Sequence, residues 1–356
     1  MLPPSGLCCC LVPTSELTQC LQWALPRYRL DRAFWILSQV TQRVQAGQAH
    51  QIVAGTAWCR GETGTLGERI AAVIATEQSA GAATLLLLQT VSAAELQQIV
   101  TSTGPNAPVA AHADERQLIR ALFEPVLERL RSLGITFLQA TCDEPAQATL
   151  LQAADFEQLA ELSLMALPAS AFAQAAQRTA AEAGNLAFSP AELQWVTLDS
   201  LGDDWEAIFA LVAADTFTDT ADCPRLSDFR SAEEIVAGYR TSPAFDRRLS
   251  KLLRVGQQWA GCLVLTRNAE STATLDGVAD PDVQVALELT YMGLRPEFRG
   301  KRLAGYLLAE TVRVATQIGA AQIMLAVDQQ NRPARANYHR YGWRDVAQES
   351  VWGRRV

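Results

Sequence analysis

In the second half of the chain, short apolar runs and one stretch of alternating apolar and polar residues are interleaved with stretches whose apolar residues recur at helical spacing. Apolar runs and alternation predict strands, and a recurrence every three or four residues predicts helices. The predicted strands are 193–198, 258–267, 283–294 and 322–327, and the predicted helices are 205–214, 303–318 and 333–340. Residues 217–246 mix helical and polar patterns, and 268–282, rich in Gly, Asp, Ser and Thr, predict a hairpin connection. This order indicates a mixed sheet with helices on both faces.

A helix-then-strand pattern in the first half recurs in the second half, where 303–328 shares the register of 118–143. Four pairs of residues match at a constant separation of 185 positions: Leu118 and Leu303, Leu122 and Leu307, Gly134 and Gly319, Asp143 and Asp328. Both segments then run into a short helix that ends at an aromatic residue, Phe156 or Trp343. We infer an ancestral duplication. The predicted organisation is a domain over 1–168, an Ala-rich linker over 169–190 and a domain over 191–356.

Composition narrows the class of protein. A chain of 356 residues with 49% apolar and 19% charged residues suits two globular domains. The formal charge of −8 argues against nucleic acid or a membrane as partner, because either calls for a clustered basic face. No basic residue precedes Arg27, so the start of a secretory signal is missing and a cytoplasmic location is expected. The eight cysteines form no CxxC pair and no Cys/His ligand set, so we expect reduced thiols and no metal.

A basic turn lies between the predicted strand 283–294 and the predicted helix 303–318. The first N–H groups of a helix have no partner within it, and the positive end of the helix dipole lies there, so such a turn favours an anion. The candidate anion site comprises Arg299, Gly300, Lys301, Arg302, Leu303, Ala304 and Gly305. The alternative is a solvated basic turn that binds nothing.

Two further residues stand out near this turn. Glu288 lies in an otherwise apolar predicted strand, where burial would raise its pKa toward the range useful to a general base. The alternative is a glutamate that faces solvent or forms an ion pair. Asn331 precedes the predicted helix 333–340 and can cap it.

Residues 285–343 resemble the GNAT superfamily of acyl-CoA-dependent N-acyltransferases. The loop of that superfamily reads Arg/Gln-x-x-Gly-x-Gly/Ala; Arg299 and Ala304 match its first and last positions, whereas Arg302 replaces the middle glycine. An arginine there must be helical or carry strain. Asn331, Tyr338 and Gly342-Trp343 match the helix that follows in the superfamily. The tandem arrangement resembles mycothiol-synthase-like members.

The resemblance implies two tandem α/β (α+β) domains, each with a mixed, mostly antiparallel sheet flanked by helices. It also implies acetyl-CoA as the acyl donor, with its pyrophosphate on the 299–305 turn and its pantetheine along Met292, Gly293, Leu294 and Asn331. Glu288 would be the general base and Tyr338 the general acid, with Tyr341 in reserve. For Tyr338 the alternative is core packing, since a tyrosine on a short helix before Gly-Trp often has no chemical role.

The first copy lacks these chemical groups. Asp114 and Glu115 stand where the second copy has Arg299 and Gly300, and Leu151 stands in place of Tyr338. Carboxylates at the turn would repel a pyrophosphate. The first domain is therefore predicted to be degenerate, and one acetyl-CoA is expected per chain.

The expected activity is direct transfer of an acetyl group from acetyl-CoA to a primary amine in a ternary complex, without metal or covalent intermediate. The acceptor would be a small-molecule or peptide amine bound by residues 217–239, with Asp219, Asp222 and Arg230 as polar candidates. A monomer or homodimer is expected. The alternative is a non-catalytic acyl-CoA-binding or regulatory module. A P-loop or dinucleotide-binding protein is excluded because neither GxxxxGK[ST] nor GxGxxG occurs.

Overall fold

The computed structural model describes residues 7–60, 66–79, 81–102, 115–183, 187–242, 244–269 and 285–356. The chain forms two compact units. The first contains the residues up to Gln158 together with Val351–Val356, and the second contains Leu159–Ser350. Within the described ranges, no helix is both long and apolar enough to cross a membrane. The domain limits drawn from the sequence repeat, 1–168 and 191–356, remain a prediction.

The first unit is a sheet with helices on its faces. Strands β1 to β4 pair antiparallel in chain order, and β4 pairs parallel with β5. The last residue of the chain joins this unit, because the Val356 N–H donates to the Thr136 carbonyl at 3.0 Å. The strands are β1 Leu7–Leu11, β2 Ile52–Arg60, β3 Leu66–Ser79, β4 Ala82–Thr90 and β5 Phe137–Cys142. The helices are α1 Leu17–Ala24, α2 Leu30–Gln45, α3 Ala93–Ser102, α4 Glu115–Ser132 and α5 Pro145–Ala153.

The second unit repeats this plan in the strand order β6-β11-β10-β9-β8-β7. Only β10 and β11 are parallel among these neighbours. The strands are β6 Glu157–Pro168, β7 Leu193–Thr197, β8 Lys251–Val255, β9 Gln258–Ala269, β10 Val285–Leu294, β11 Gln322–Asp328 and β12 Arg344–Arg355, the end of which belongs to the first unit. The helices are α6 Phe172–Ala183, α7 Trp205–Asp215, α8 Ala232–Thr241, α9 Leu303–Gln317 and α10 Arg332–Tyr341.

Separate cores cover the two faces of the second sheet. On one face, Leu287 and Leu289 of β10 pack with α9 residues such as Leu308. On the other face, Tyr291 packs with Phe209 of α7. Buried apolar residues on both faces explain why the central strands read as nearly continuous hydrophobic runs. The predicted α/β architecture of two mixed, mostly antiparallel sheets flanked by helices is confirmed.

The segment predicted as a linker, 169–190, contains helix α6. Phe172 and Ala175 of this helix are buried in the α9 core, and Arg178 donates to the Arg340 carbonyl at 3.1 Å. An Ala-rich helix shows little contrast between its apolar and polar faces, so periodicity does not reveal it. From residue 270 onward, the hairpin connection predicted at 268–282 lies outside the described residues.

Candidate functional site

The parallel pairing of β10 with β11 stops early. It covers only Ala286–Glu288 and their partners Gln322–Met324. Residues 289–294 and 325–328 then continue without pairing to each other, while each strand keeps its other neighbour. The two strands therefore diverge and leave a gap between their facing edges at their carboxyl ends.

A β-bulge in β10 sets which side chains face the helices α7 and α8. The pairing register with β9 shifts between Leu289 and Tyr291, so Thr290 is the extra residue. Leu287 and Leu289 pack towards α9, which places Glu288 on the opposite face, together with Tyr291 beyond the bulge. Because of the bulge, Glu288 before it and Tyr291 after it both lie on the α7/α8 face.

Glu288 lies at the closed end of the gap, opposite Thr266 of β9 and Met324 of β11. It is half-buried. On the same face, the hydroxyls of Thr266 and Thr290 lie 3.0 Å apart, so the surroundings of Glu288 are more polar than an apolar strand suggests. Its role as a base remains a prediction.

The basic turn joins β10 to α9 as predicted. Gly300 has φ +72°, and Arg302, the residue before α9, has φ +63° and ψ 13°. The left-handed conformation costs a non-glycine residue about 1–2 kcal/mol. Of the two alternatives for Arg302, the structure adopts the strained one. Its side chain makes no capping hydrogen bond, which leaves the N–H groups of the first helical turn to another acceptor.

The Arg299 side chain is engaged away from the start of the helix. Its Nε donates to the Leu294 carbonyl at 3.0 Å, and its two terminal nitrogens donate to the carbonyls of Thr216 at 3.0 Å and Asp219 at 3.3 Å. The guanidinium thus ties the end of β10 to the segment after α7. A phosphate at the turn would be met by backbone N–H groups and by Lys301 and Arg302 instead.

Tyr338 on α10 is buried, with 6% of its surface exposed. Burial, and then the negative charge of Asp222, raise the pKa of its phenol above the usual value of 10.0. Tyr338 therefore stays protonated at neutral pH, as a general acid must. Tyr341, the reserve acid, packs against α9: a Cβ added at Gly305 would lie 2.3 Å from its hydroxyl. Gly305 thus allows α9 and α10 to approach closely.

Asn331 caps α10 as predicted, since its Oδ1 accepts a hydrogen bond from the Ala334 N–H at 3.3 Å. Its side chain also hydrogen-bonds to Asp222. The predicted contact between this amide and pantetheine would therefore compete with a bond already formed.

Residues 216–223, which we call the strap, run along the open end of the gap. Thr216 is tied to β10, because its hydroxyl lies 2.8 Å from that of Tyr291. Asp222 is tied to β11, because it accepts from the Asp328 N–H at 3.0 Å. The sequence predicted Asp219 and Asp222 as residues of the acceptor site, but it did not indicate a role for Thr216 or Asp328 there. The matching positions of Asp143 and Asp328 in the repeat were a signal for the second.

The first unit has the same gap, but a tyrosine fills it. Its β4–β5 pairing covers only Ala82–Thr84 and Phe137–Gln139. Leu88 stands six residues after Ala82, as Met292 stands six residues after Ala286, so the two are counterparts. The Tyr28 hydroxyl accepts from the Leu88 N–H at 3.1 Å and donates to the Leu88 carbonyl at 2.9 Å.

Little space remains beside Tyr28. The cavity between it and the two strands is about 30 Å³, enough for a water molecule but not for a pantetheine chain. Burial raises the pKa of Tyr28 to about 12.

Three residues of the first copy stand where the second copy has chemical groups. Glu115 begins α4 and accepts a hydrogen bond from the Thr90 hydroxyl at 3.3 Å. Leu151 is buried, and Asp114 lies outside the described residues.

The counterpart position in the second unit is open to the gap. The N–H and carbonyl of Leu88 point away from β3. Met292 has the corresponding register against Leu263, so its N–H and carbonyl point away from β9 and towards β11. The predicted cofactor residues Met292, Gly293 and Leu294 thus border the gap. A separate cavity of about 440 Å³ lies between α6 and α9 and begins at Arg302 and Gly305.

Part of the chain matches a known protein family. Residues 221–343 match the model of the acetyltransferase (GNAT) family. The second unit carries a GNAT-family domain. No curated protein matches the chain by sequence. The GNAT domain includes the end of the strap, β10, the basic turn and α10.

Several solved structures are similar to this chain. A GCN5-related N-acetyltransferase from Sphaerobacter thermophilus is 12% identical, with a TM-score of 0.52, over 99% of this chain and 97% of that one. A glucosamine N-acetyltransferase region of a fungal multi-domain GH3 β-N-acetylglucosaminidase is 12% identical, with a TM-score of 0.53, over 99% of this chain and 38% of that one. A tandem GNAT protein from the clavulanic acid biosynthesis pathway is 14% identical, with a TM-score of 0.47, over 98% of each chain. At such identities the likeness concerns fold.

The strain at Arg302 is testable by substitution. Arg302→Gly should be more stable to urea than Arg302→Ala by about 1 kcal/mol, because only glycine adopts the left-handed conformation without a Cβ clash. At Lys301, whose φ is not positive, glycine should be neutral or destabilising relative to alanine. Equal stability of the two Arg302 variants would contradict the assignment of strain.

Proposed function

We propose that the GNAT domain transfers an acetyl group from acetyl-CoA to a primary amine within a ternary complex. The observation that carries the proposal is the open gap beside Met292, next to an uncapped helix start at Arg302. Pantetheine offers amide groups that can pair with a strand edge, and pyrophosphate suits the N–H groups of a first helical turn.

The residues present fit this ligand. In the first unit, one hydroxyl satisfies both backbone groups of Leu88, so the equivalent edge at Met292 can accept a donor and an acceptor from a bound molecule. The cavity between α6 and α9 leaves space beside the turn for the nucleotide end. In the first unit the Tyr28 hydroxyl already occupies the equivalent edge at Leu88, which supports one acetyl-CoA per chain.

When bound, acetyl-CoA supplies an activated thioester. Glu288, on the α7/α8 face, accepts a proton from the acceptor amine directly or through water, so that the amine can attack. Tyr338 donates its phenolic proton to the departing sulfur and is protonated beforehand because its pKa is raised. The Met292 N–H would bind the carbonyl oxygen as negative charge develops on it. Glu288 and Met292 belong to β10, and Tyr338 belongs to α10.

The acceptor is a small-molecule or peptide amine that enters from the strap side. The overall negative charge suits a cationic amine rather than nucleic acid or a membrane. The second candidate function is a module that binds acyl-CoA without catalysis. The observation that favours this second candidate is the first unit, which keeps the fold although Tyr28 fills its gap, so a unit of this fold can persist without catalysis.

Calorimetric titration with acetyl-CoA tests the cleft. One molecule should bind per chain, and Arg302→Glu should weaken binding by placing a like charge beside the phosphates. Arg129→Glu, the same charge reversal on the exposed face of α4, should leave the affinity unchanged. A stoichiometry of two, or an affinity unaffected by Arg302→Glu, would overturn the assignment.

Transfer kinetics test the proton-transfer roles. Tyr338→Phe should lower kcat by roughly 10²- to 10⁴-fold while nearly keeping the affinity for acetyl-CoA. Because the pKa of Tyr338 is raised, loss of its proton should not lower the wild-type kcat as pH rises to about 10. The defect of Glu288→Gln should shrink as pH rises, since more amine is then deprotonated without help. Full activity of both variants would mean that positioning alone drives the reaction.

A further inference from the structure

The strap is held to β10 by bonds that converge on its first half. Arg299 donates to the carbonyls of Thr216 and Asp219 and also to that of Leu294, the last residue of β10. The Thr216 hydroxyl adds a contact of 2.8 Å with Tyr291. One guanidinium thus joins the strap, the end of the strand and the start of the basic turn.

The strap is held to β11 by a reciprocal pair of bonds at its other end. The Asp328 N–H donates to Asp222 Oδ1 at 3.0 Å, and the Cys223 N–H donates to Asp328 Oδ2 at 3.1 Å. The other oxygen of Asp328 accepts from the Gln330 N–H at 2.8 Å. Asp328 is 2% exposed, so these bonds are shielded from water and removal of one leaves a buried group unsatisfied.

Backbone strain coincides with both attachments. Asp219, whose carbonyl binds Arg299, has φ +51°, and Cys223, whose N–H binds Asp328, has φ +46°. Such conformations persist in non-glycine residues only where the surrounding contacts enforce them. Without its attachments the strap would relax to another conformation.

We propose that Asp328 and Arg299 are positioning residues that latch the strap across the open end of the gap and thereby form one wall of the acceptor site. This inference rests on the proposed acetyl transfer. The latch spans two strands that diverge, so it fixes the width of the opening through which an amine reaches Glu288. Neither residue needs to touch the reacting atoms.

Asp328→Asn is the decisive variant. Both carboxylate oxygens of Asp328 accept hydrogen bonds, whereas an asparagine side chain has one oxygen that can accept, so one of the two bonds is lost. The KM for the most active of three probes, glycinamide, a lysine peptide or an aminoglycoside, should rise by about 10-fold or more. The Kd for acetyl-CoA should stay within about two-fold. Arg299→Lys keeps the charge but cannot reach three carbonyls. It should likewise raise the acceptor KM and leave the Kd for acetyl-CoA nearly unchanged. Asp143→Asn, at the repeat-equivalent exposed position paired with Arg29 at 3.1 Å, is the matched control and should change neither.

Hydrogen exchange separates failure of the latch from failure of the proposed function, since it needs no acceptor. Amides of 216–223 should exchange at least 10-fold faster in Asp328→Asn and Arg299→Lys than in the wild type and in Asp143→Asn. Unchanged exchange in both variants would overturn the latch, whatever the activity. Faster exchange with an unaltered acceptor KM would overturn its role in the acceptor site. Faster exchange in a protein that acetylates none of the probes would support the latch and contradict the proposed function.

Discussion

The early end of the β10–β11 pairing is the constraint on which the site depends. Buried backbone N–H and carbonyl groups need partners, so two parallel strands that separate must offer their inner edges to something else. The first unit satisfies this requirement internally, with the Tyr28 hydroxyl on both groups of Leu88. In the second unit the counterpart edge at Met292 faces the gap. One fold therefore yields a closed copy and an open copy, according to whether a side chain fills the space.

Strain is concentrated around the open copy. Among the described residues, four non-glycine residues have positive φ, and three of them, Asp219, Cys223 and Arg302, belong to the strap or the basic turn. Strained backbone at a binding site is a usual consequence of building a surface for a ligand rather than for stability. The hydrogen bonds of Arg299 and Asp328 offset this cost, and they also connect the strap to the basic turn and to β11.

Sequence patterns predicted the elements whose determinants are local. Helix α9 ends near Gly319, which has φ +67°, and Asn331 caps α10, because periodicity, caps and turn residues act within a few positions. Strands β6, β8 and β12 and helix α6 of the second unit were not predicted, nor were β1 to β4 and α1 to α3 of the first unit, since their burial comes from distant parts of the chain. The same limit applies to side-chain partners. Nothing near Arg299 in sequence indicates that it binds Thr216 and Asp219, and nothing near Tyr28 indicates that it reaches Leu88.

Hydrogen exchange with and without acetyl-CoA tests most directly whether the edge at Met292 accepts the ligand and the edge at Leu88 does not. Exchange should become slower at Met292–Leu294 and at the first turn of α9 when acetyl-CoA is added, with no change around Leu88. Protection around Leu88, or none at Met292–Leu294, would contradict this difference between the two units.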